Sequence, residues 1–451
     1  MVGKVGIAQV EITPPVGSSL AGYFYDRKST GIHDPLYAKT FLFQSGDLLA
    51  AVITCDLLAL MSETVEEVKW LVKNRLSLPP EHIFVHATHT HTGPATVAAY
   101  GVSTDLNYLK NLPQLLLLSV RQALSNLTPA RIGFSKGLKS GLSFNRRYLM
   151  KDGTVRTNPG AGAAWEKIKG QGNPEIVSPA GPIDPEVVVG KIEDENGILK
   201  ALLVNFACHL DTVGGNQISA DFPSVISKVI HQAKGKDVVV GFFTGAAGNI
   251  NHINFQTGRL KEGYFAHTEW MGTELGTEVL RVAEKIDCVP LTTVNSAKTI
   301  LEIPIRKPSA SERDFARRVI EAGRRVSQRK REQAHNLFGD EIIWLKELLL
   351  VAEEKKEKEE VPVGALRLNE AGFAFLPGEP FVEFGLRIKL ESKLKPTFVV
   401  ELTDSGLGYL PTWEAFHQGT GYEERLSRAS KLVPEAGDVI TEAVLKLLSS
   451  L

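Results

Sequence analysis

Short apolar runs recur along the chain, and each ends in a loop of small or polar residues. The run LLAAVITCDLLAL (residues 48–60) is β-branched in its middle, which is typical of a strand buried on both faces. Similar runs end at His209, at a glycine turn after DVVVGFFT, at Glu379 and near Tyr409. Because ligand sites of open α/β sheets collect in loops beyond strand ends, the pattern predicts one site assembled from the whole chain. We therefore expect a single large α/β domain over residues 1–451.

The segment from about residue 307 to residue 361 differs, because it is charged and lacks buried-strand character. Ser309 and Glu312 have the spacing of a capping box, and two helices are predicted, with a break near NLFGD (residues 336–340). Acidic residues interleave with its basic run, which favours a solvated helical insertion over a nucleic-acid surface. We expect this insertion to be the place of any contact in a homo-oligomer.

Overall charge narrows the class of partner. The 51 Lys and Arg residues against 52 Asp and Glu residues leave a net charge of −1, so we expect neither a nucleic-acid nor a membrane partner. The three cysteines form no CxxC pair, which is typical of a reducing compartment. MVGKVGIAQVEITPPVG, at the start, lacks the apolar core of a signal peptide, and no run is long enough to span a membrane. We therefore expect a cytoplasmic protein.

Three histidines crowd the segment HATHTHTGP (residues 86–94). The β-branched threonines between them predict an extended backbone, in which side chains alternate between two faces. His89 and His91 would then share one face, where two imidazoles can bind a common metal ion, and His86 would lie on the other. Hydrogen-bonded structural histidines would explain the pattern equally well, so the metal hypothesis needs ligands elsewhere.

Further ligand types follow two of the predicted strands. His209 ends one apolar run and Glu379 follows another, although each taken alone fits a structural role better. Cys208 is an apolar-strand cysteine and more typical of packing than of a nucleophile. The glycine-rich TGAAGNIN lacks the lysine of a phosphate-binding loop. The residues alone indicate a metallohydrolase.

These motifs, in this order, resemble the neutral/alkaline ceramidase family, in particular its catalytic N-terminal domain. THTHTGP is similar to the family's THTHSGP and is the most specific segment. Other segments that resemble family motifs are GIAQVEITPPVGSSLAGY, GIHDPLYAKTFLF with VITCDLLAL, SFNRRYL, NFACH with ISADFPS, LPGEP and GYLPTWEAF. The resemblance implies a ceramidase-like α/β fold, a large mixed β-sheet core flanked by helices, with the charged helical insertion added.

The resemblance also implies a hydrolase that cleaves amide bonds and binds one zinc ion per chain. Its ligands would be His89, His209, Glu379 and Tyr409, a donor set that suits zinc. His91 would lie beside the metal and contact the reacting carbonyl, with Tyr409 helping to stabilise the oxyanion. Zinc lowers the pKa of a bound water to about 7, so hydroxide would be available at neutral pH.

Other residues would surround this centre. Arg146, in the NR motif, would bind the substrate and stabilise the oxyanion. Asp56 and Asp221 would orient the imidazoles as hydrogen-bond acceptors, and His33, in the GIH loop, and Asn249 would lie nearby.

Three departures from the family bear on the substrate. Where ceramidases have GDVSPN this chain has GNINHI, so that Asn249 replaces the Asp and Asn251 replaces the catalytic Ser. An amide cannot act as a hydroxyl nucleophile, but Asn251 can orient water or bind an oxyanion. Ceramide-hydrolysing members also carry an export signal and a C-terminal immunoglobulin-like domain, and this chain ends at Leu451. We therefore expect a small soluble amide substrate rather than ceramide.

Alternatives remain at this point. A zinc hydrolase of ester or glycosidic bonds would suit the same scaffold, as would a catalytically inactive relative that binds zinc or a ligand. An amidohydrolase barrel would need eight regular strand–helix repeats, which the pattern does not show. A metallo-β-lactamase would need an Asp and a His where HTHTGP has Gly and Pro.

Overall fold

The computed structural model describes residues 2–98, 100–325, 328–419 and 421–451. The strands of its two largest sheets are β1 Lys4–Glu11, β2 Tyr37–Ser45, β3 Leu48–Cys55, β4 Ile83–Ala87, β5 Thr128–Leu138, β6 Glu186–Asp194, β7 Leu199–Phe206, β8 Val239–Thr244, β9 Val289–Pro290, β10 Val294–Pro304, β11 Lys358–Leu368, β12 Ala371–Phe375 and β13 Thr397–Val400. The α-helices are α1 Ser62–Leu76, α2 Leu106–Ser125, α3 Trp165–Ile168, α4 Phe222–Lys234, α5 Ala266–Ala283, α6 Ala310–Arg325, α7 Gln328–Glu353, α8 Val382–Glu391, α9 Trp413–Gln418 and α10 Ala436–Ser450.

Shorter elements lie in the connecting loops. The 3₁₀ helices are Pro80–His82 and Gly162–Ala164. The short strands are Ser19–Leu20, Arg27–Lys28, Gly31–Ile32, Phe144–Asn145, Arg147–Met150, Val155–Thr157, Ile176–Pro179, Gln217–Ile218, Ile250–Asn251, Glu379–Pro380 and Tyr409–Leu410.

The larger sheet is mixed, as the sequence predicts. Its order is β8-β7-β6-β5-β1-β2-β3-β4, and β9 pairs with β5. The two end pairs, β7 with β8 and β3 with β4, are parallel, whereas the pairs between them are antiparallel. The prediction of an α/β fold with a large mixed sheet flanked by helices is confirmed.

The core is layered because side chains alternate along the strands. On β2, Phe41 and Phe43 point to the four-stranded sheet β10-β11-β12-β13, where they join Phe373 and Phe398 in one apolar cluster. Leu42, between them, faces the opposite side and packs with residues of α1 and α2. Helices α4 and α5 cover the other half of that face, and α8 and α10 cover the outer face of the smaller sheet. The result is a helix–sheet–sheet–helix arrangement.

The charged insertion leaves this core between two paired strands. β10 and β11 are antiparallel over eleven residues each, and α6 and α7 connect their ends. The predicted capping box is present, since Ser309 Oγ accepts from the Glu312 amide at 3.2 Å and Glu312 Oε2 accepts from the Ser309 amide at 2.7 Å.

The predicted break near residues 336–340 is wrong, because α7 is helical throughout that stretch. Its single glycine costs a helix only about 1 kcal/mol, so it can continue when the helix packs further along. Residues 358–361, assigned to the insertion from their charge, belong to β11.

The larger sheet curls until its two ends meet. Thr244, at the end of β8, donates its amide to His86 Nε2 on β4 at 3.2 Å, and His86 Nδ1 lies 2.8 Å from the Glu401 carbonyl. Thr54 Oγ1 on β3 donates to the Phe242 carbonyl at 2.8 Å. His86 is fully buried and joins the two ends of the sheet. This closure brings the loops after β4 and β7 together.

Among the described helices, none combines the length and the apolar composition that crossing a bilayer requires.

Candidate metal centre and active site

The loop after β4 carries two of the predicted site histidines. The strand ends at Ala87, and His89 has a φ of 78°, so the predicted extended backbone is wrong at this residue. Tertiary hydrogen bonds decide the conformation: the His89 amide donates to the Leu57 carbonyl at 2.8 Å and the His91 amide to the Leu210 carbonyl at 3.1 Å. The loop therefore bridges the ends of β3 and β7. His89 and His91 still converge, with their Nε2 atoms 3.3 Å apart.

His209 and Glu379 complete a compact group with these histidines. Glu379 Oε2 lies 3.4 Å from His89 Nε2 and 3.3 Å from His209 Nε2. One ligand atom from each of His89, His91 and His209 lies within 4.8 Å of the others. The sheet closure thus brings together residues that are up to 290 positions apart in the chain, from His89 to Glu379.

Backbone carbonyls orient two of the imidazoles. His89 Nδ1 lies 2.9 Å from the Leu58 carbonyl, and His209 Nδ1 lies 2.9 Å from the Ala247 carbonyl. Because a carbonyl only accepts, both Nδ1 atoms carry the proton and both Nε2 atoms are acceptors that face the centre. Burial, followed by the charge of Arg146, lowers the pKa of His209 to about 3, so this imidazole is neutral at physiological pH.

The sequence assigned this orienting role to Asp56 and Asp221, and that prediction is wrong. Asp56 accepts from the Tyr37 amide at 2.9 Å, which ties β3 to β2. Asp221 caps α4 and accepts from the Thr212 amide at 2.9 Å, so it braces the loop after His209. Both carboxylates therefore accept hydrogen bonds from backbone amides and not from the site imidazoles. His33, predicted nearby, packs against Phe265 and lies 3.5 Å from Asp34, outside the group of ligands.

Glu379 and Tyr409 are placed by a short parallel strand pair. Glu379–Pro380 pairs with Tyr409–Leu410 in a register that sets Glu379 opposite Tyr409. Gly378, with a φ of 62°, makes this pairing possible, since a Cβ there would lie 2.2 Å from the Gly408 carbonyl oxygen. The LPGEP motif thus needs its glycine for the turn and its glutamate for the site. Burial and the neighbouring Glu379 raise the pKa of Tyr409 well above its usual range.

Arg146 is fixed on three sides beside His209. Its Nε donates to Glu423 Oε1 at 3.0 Å and its Nη2 to the Gly248 carbonyl at 2.6 Å, while Nη1 lies 3.1 Å from His209 Nε2. Its guanidinium also lies over the Tyr409 ring, 5.4 Å from the centroid. The structure thus brings Arg146 to the centre with one nitrogen facing it.

Neither asparagine of GNINHI reaches the histidines through its amide. Asn249 Oδ1 accepts from the Val382 amide at 2.8 Å and its Nδ2 donates to Glu383, so it fastens the start of α8. Asn251 Nδ2 donates to Asn158 Oδ1 at 2.8 Å and its Oδ1 accepts from the Ile253 amide at 2.9 Å. The direct role predicted for Asn251 therefore finds no support in its contacts, which hold its own loop.

Several residues of the site carry no recognisable sequence signal. Asp211 Oδ1 lies 3.9 Å from His91 Nδ1 and accepts a short hydrogen bond from the Tyr23 hydroxyl. Arg27 donates to the His91 carbonyl at 2.6 Å and lies over the Tyr23 ring. Asp211 lies two residues beyond His209, and that proximity is the only feature of the sequence that could have indicated it.

A cavity of about 570 Å³ opens onto the centre. His89, His91, Glu379, Tyr409 and Tyr100 form its polar inner end. Charged side chains such as Glu63, Lys356 and Lys431 also line it. Its apolar lining residues include Leu58, Ala59, Met61, Val97, Val102, Leu402 and Leu407. A small organic molecule can therefore reach the histidines.

The donor set fits a metal ion. His89 Nε2 is an acceptor by its tautomer, and Glu379 Oε2 is a buried carboxylate oxygen without a hydrogen-bond donor in the described part of the chain. These acceptors lie 3.4 Å apart with no proton between them, and a shared cation satisfies both. Imidazole and carboxylate ligands with an open cavity on one side are typical of catalytic zinc sites.

Comparison with known proteins agrees with the motifs. Residues 4–161 match the family model for the N-terminal part of neutral/alkaline non-lysosomal ceramidases. Over this segment the chain is similar to these ceramidases. The neutral ceramidase from Pseudomonas aeruginosa has a similar structure, with a TM-score of 0.72 at 16% identity, covering 100% of this chain and 74% of that chain. A ceramidase complexed with C2 is similar with a TM-score of 0.71 at 15% identity, covering 100% of this chain and 75% of that chain. At such identities these two similarities show a common fold, and the family match covers about a third of the chain.

Proposed function

We propose that this protein is a zinc-dependent hydrolase that cleaves an amide bond of a small, soluble substrate. The observation that carries the proposal is the buried convergence of His89 Nε2, His209 Nε2 and Glu379 Oε2 at the inner end of an open cavity. The similarity to ceramidases, whose name denotes cleavage of an N-acyl bond, supports the reaction class.

Zinc held by His89, His209, Glu379 and the phenolic oxygen of Tyr409 would supply Lewis acidity for a carbonyl and would activate water. The protein's own residues determine what happens around it. Arg146 keeps its charge, because its pKa is raised well above the usual range: burial alone would lower it, but Tyr422, Tyr409 and Glu423 outweigh that effect. Its Nη1 can donate to the oxygen on which negative charge develops, and its other bonds hold it in place beforehand.

His91 is suited to move a proton. Its imidazole lies against His89 and, when neutral, has one acceptor nitrogen. Its Nδ1 is buried without a hydrogen-bond partner among the described residues, while its Nε2 faces His89. In the proposal His91 accepts a proton from the attacking water and returns it to the leaving amine.

The substrate is proposed to be small and soluble because the cavity holds about 570 Å³ and its lining includes many polar and charged side chains. Substrates with an ester or glycosidic bond are the alternative, and a substrate panel separates them. No observation favours them over an amide.

Metal analysis and turnover test the proposal together. Protein purified without added metal is expected to contain about one zinc per chain, and the double variant His89→Ala, His209→Ala none, because it loses two of the ligands. His417→Ala, which changes an exposed histidine, is the control and should keep its zinc. The absence of zinc from folded wild-type protein, even after incubation with the metal, would refute the proposal.

Zinc-loaded protein is then assayed with soluble N-acyl amines, matched esters and ceramide in detergent. Amide cleavage that His91→Ala reduces by roughly a hundredfold with zinc retained is the expected result, since proton transfer typically contributes that much. Faster cleavage of ceramide than of every soluble amide would refute the substrate class. Zinc binding without any turnover would identify an inactive relative.

A further inference from the structure

Four aromatic rings form a wall beside the candidate metal centre. We call Phe24, Tyr100, Trp344 and Tyr422 the aromatic wall. The Tyr100 ring lies 4.7 Å from that of Phe24 and 4.9 Å from that of Trp344, in edge-on contacts. Trp344 stacks on Tyr422 at 6.2 Å, and Tyr422 lies in turn 5.7 Å from the Tyr409 ring. The wall therefore extends from the insertion helix α7 to the residues of the site.

The insertion is fastened to this wall by buried charges. Glu347 on α7 is 3% exposed, and its Oε1 accepts from the Tyr100 amide at 3.1 Å. Both of its oxygens also accept from Arg428, at 2.7 and 2.9 Å. Glu354 accepts from Lys431 at 3.0 Å near the end of the same helix. These contacts differ from the expectation of a solvated insertion, because one side of α7 packs against Tyr100, which lines the cavity.

The wall presents a polar face next to the centre. Tyr100 lines the cavity, and its buried hydroxyl lies beside the buried hydroxyl of Ser427. A hydrogen bond between these two hydroxyls uses only one of their two protons. An alkyl chain against this end would leave the other donor unsatisfied, at about 1–3 kcal/mol. A short polar group could accept a hydrogen bond from it instead.

We propose that the helical insertion sets the substrate specificity of this protein, through Trp344 and Glu347, which hold Tyr100 at the inner end of the cavity. The aromatic wall stops long alkyl groups there, and the Tyr100 hydroxyl binds a polar group of a compact substrate. The preferred substrates are accordingly amides with a short, polar group on the side of the scissile bond that faces the wall. This inference rests on the proposed function, since it assumes that the substrate binds at the metal centre.

Binding of hydroxamates tests it without requiring turnover, because hydroxamates bind zinc and resemble a hydrated amide. The ratio of the dissociation constants of acetohydroxamate and octanohydroxamate is measured by calorimetry on zinc-loaded protein. The proteins compared are wild type, Tyr100→Phe, Trp344→Ala and the control Trp70→Ala, which removes an exposed indole on α1. Tyr100→Phe keeps the ring and removes only the hydroxyl, so it should fold even if Trp344→Ala does not.

Octanohydroxamate should gain at least about tenfold relative to acetohydroxamate in both variants. In Trp344→Ala the gain comes from newly buried methylenes, each worth about fourfold. In Tyr100→Phe it comes from removing the buried hydroxyl that an alkyl chain would leave unsatisfied. Trp70→Ala should leave the ratio unchanged. A ratio that is the same in all four proteins would overturn the inference and leave the proposed function intact. If zinc-loaded wild type binds neither compound, the proposed function fails, and this inference with it.

Discussion

The buried His86 makes the stability of this protein depend on pH in a direction that can be worked out. Burial, only partly offset by the hydrogen bond to the Glu401 carbonyl, lowers the pKa of His86 from 6.5 to about 3. As the pH falls through this interval, the unfolded chain takes up a proton that the folded chain cannot accommodate. A depressed histidine pKa therefore removes stability as the pH falls from about 6.5 toward about 3.

At about pH 5 the loss from this one residue is about 2 kcal/mol, since the pH then lies about 1.5 units below the pKa of an unfolded histidine and each unit corresponds to about 1.4 kcal/mol. His86→Gln can keep a donor for the Glu401 carbonyl and an acceptor for the Thr244 amide, and it does not titrate. The variant should therefore lose about 2 kcal/mol less than wild type between about pH 7.5 and about pH 5.

Urea denaturation of metal-free protein at the two pH values measures this difference, because chelation removes the contribution of metal release. The variant His417→Gln is the control, as it removes an exposed histidine. Equal losses in wild type and His86→Gln would refute the argument, and would mean that His86 is already protonated in the fold or that its segment opens to water.

Two further predictions concern the geometry of the site. Gly378→Ala should reduce zinc content and lower the free energy of unfolding, because the added Cβ meets the Gly408 oxygen. The loss should exceed the strain of a left-handed backbone, which is about 1–2 kcal/mol. The control Gly46→Ala, with a φ of 59° and open space around it, should show that strain alone in urea unfolding, and equal losses in the two variants would contradict the reasoning. Arg146→Lys should lower kcat/KM by roughly a hundredfold or more at unchanged zinc content, since an ammonium cannot keep all three hydrogen bonds of the guanidinium. The control Arg387→Lys, on α8, should match wild type. Activity retained in Arg146→Lys would exclude the oxyanion role.

Regular elements could be predicted from the sequence because their signals are local. The stretch SETVEEVKWLVKNRL coincides with α1, whose buried Val65, Val68, Leu71 and Val72 follow a helical period. The turn at His89 could not be predicted, because the threonines beside it favour an extended chain and hydrogen bonds to distant carbonyls override that preference. The break in the insertion was misplaced for a related reason, since α7 gains buried contacts at Trp344 and Glu347 that no local pattern reveals.

The candidate site likewise has residues that the sequence could predict and residues that it could not. Residues in distinctive motifs, such as His89, His91 and Glu379, are brought together as the resemblance implies. The groups that orient the imidazoles escaped prediction because they are backbone carbonyls, which every residue has. Tyr100 and Asp211 escaped because single tyrosine and aspartate residues carry no pattern.

The closure of the larger sheet also bears on how the protein avoids aggregation. A strand at the edge of a sheet normally offers free amides and carbonyls on which another chain can add a strand. Here the carbonyl of Phe242 accepts from the Thr54 hydroxyl and that of Thr244 from the Glu401 amide. The carboxyl end of β8 is thereby capped from within the molecule. The same curl that assembles the site also withholds this edge from neighbouring chains, so a substitution that loosens it would be expected to promote self-association as well as loss of metal.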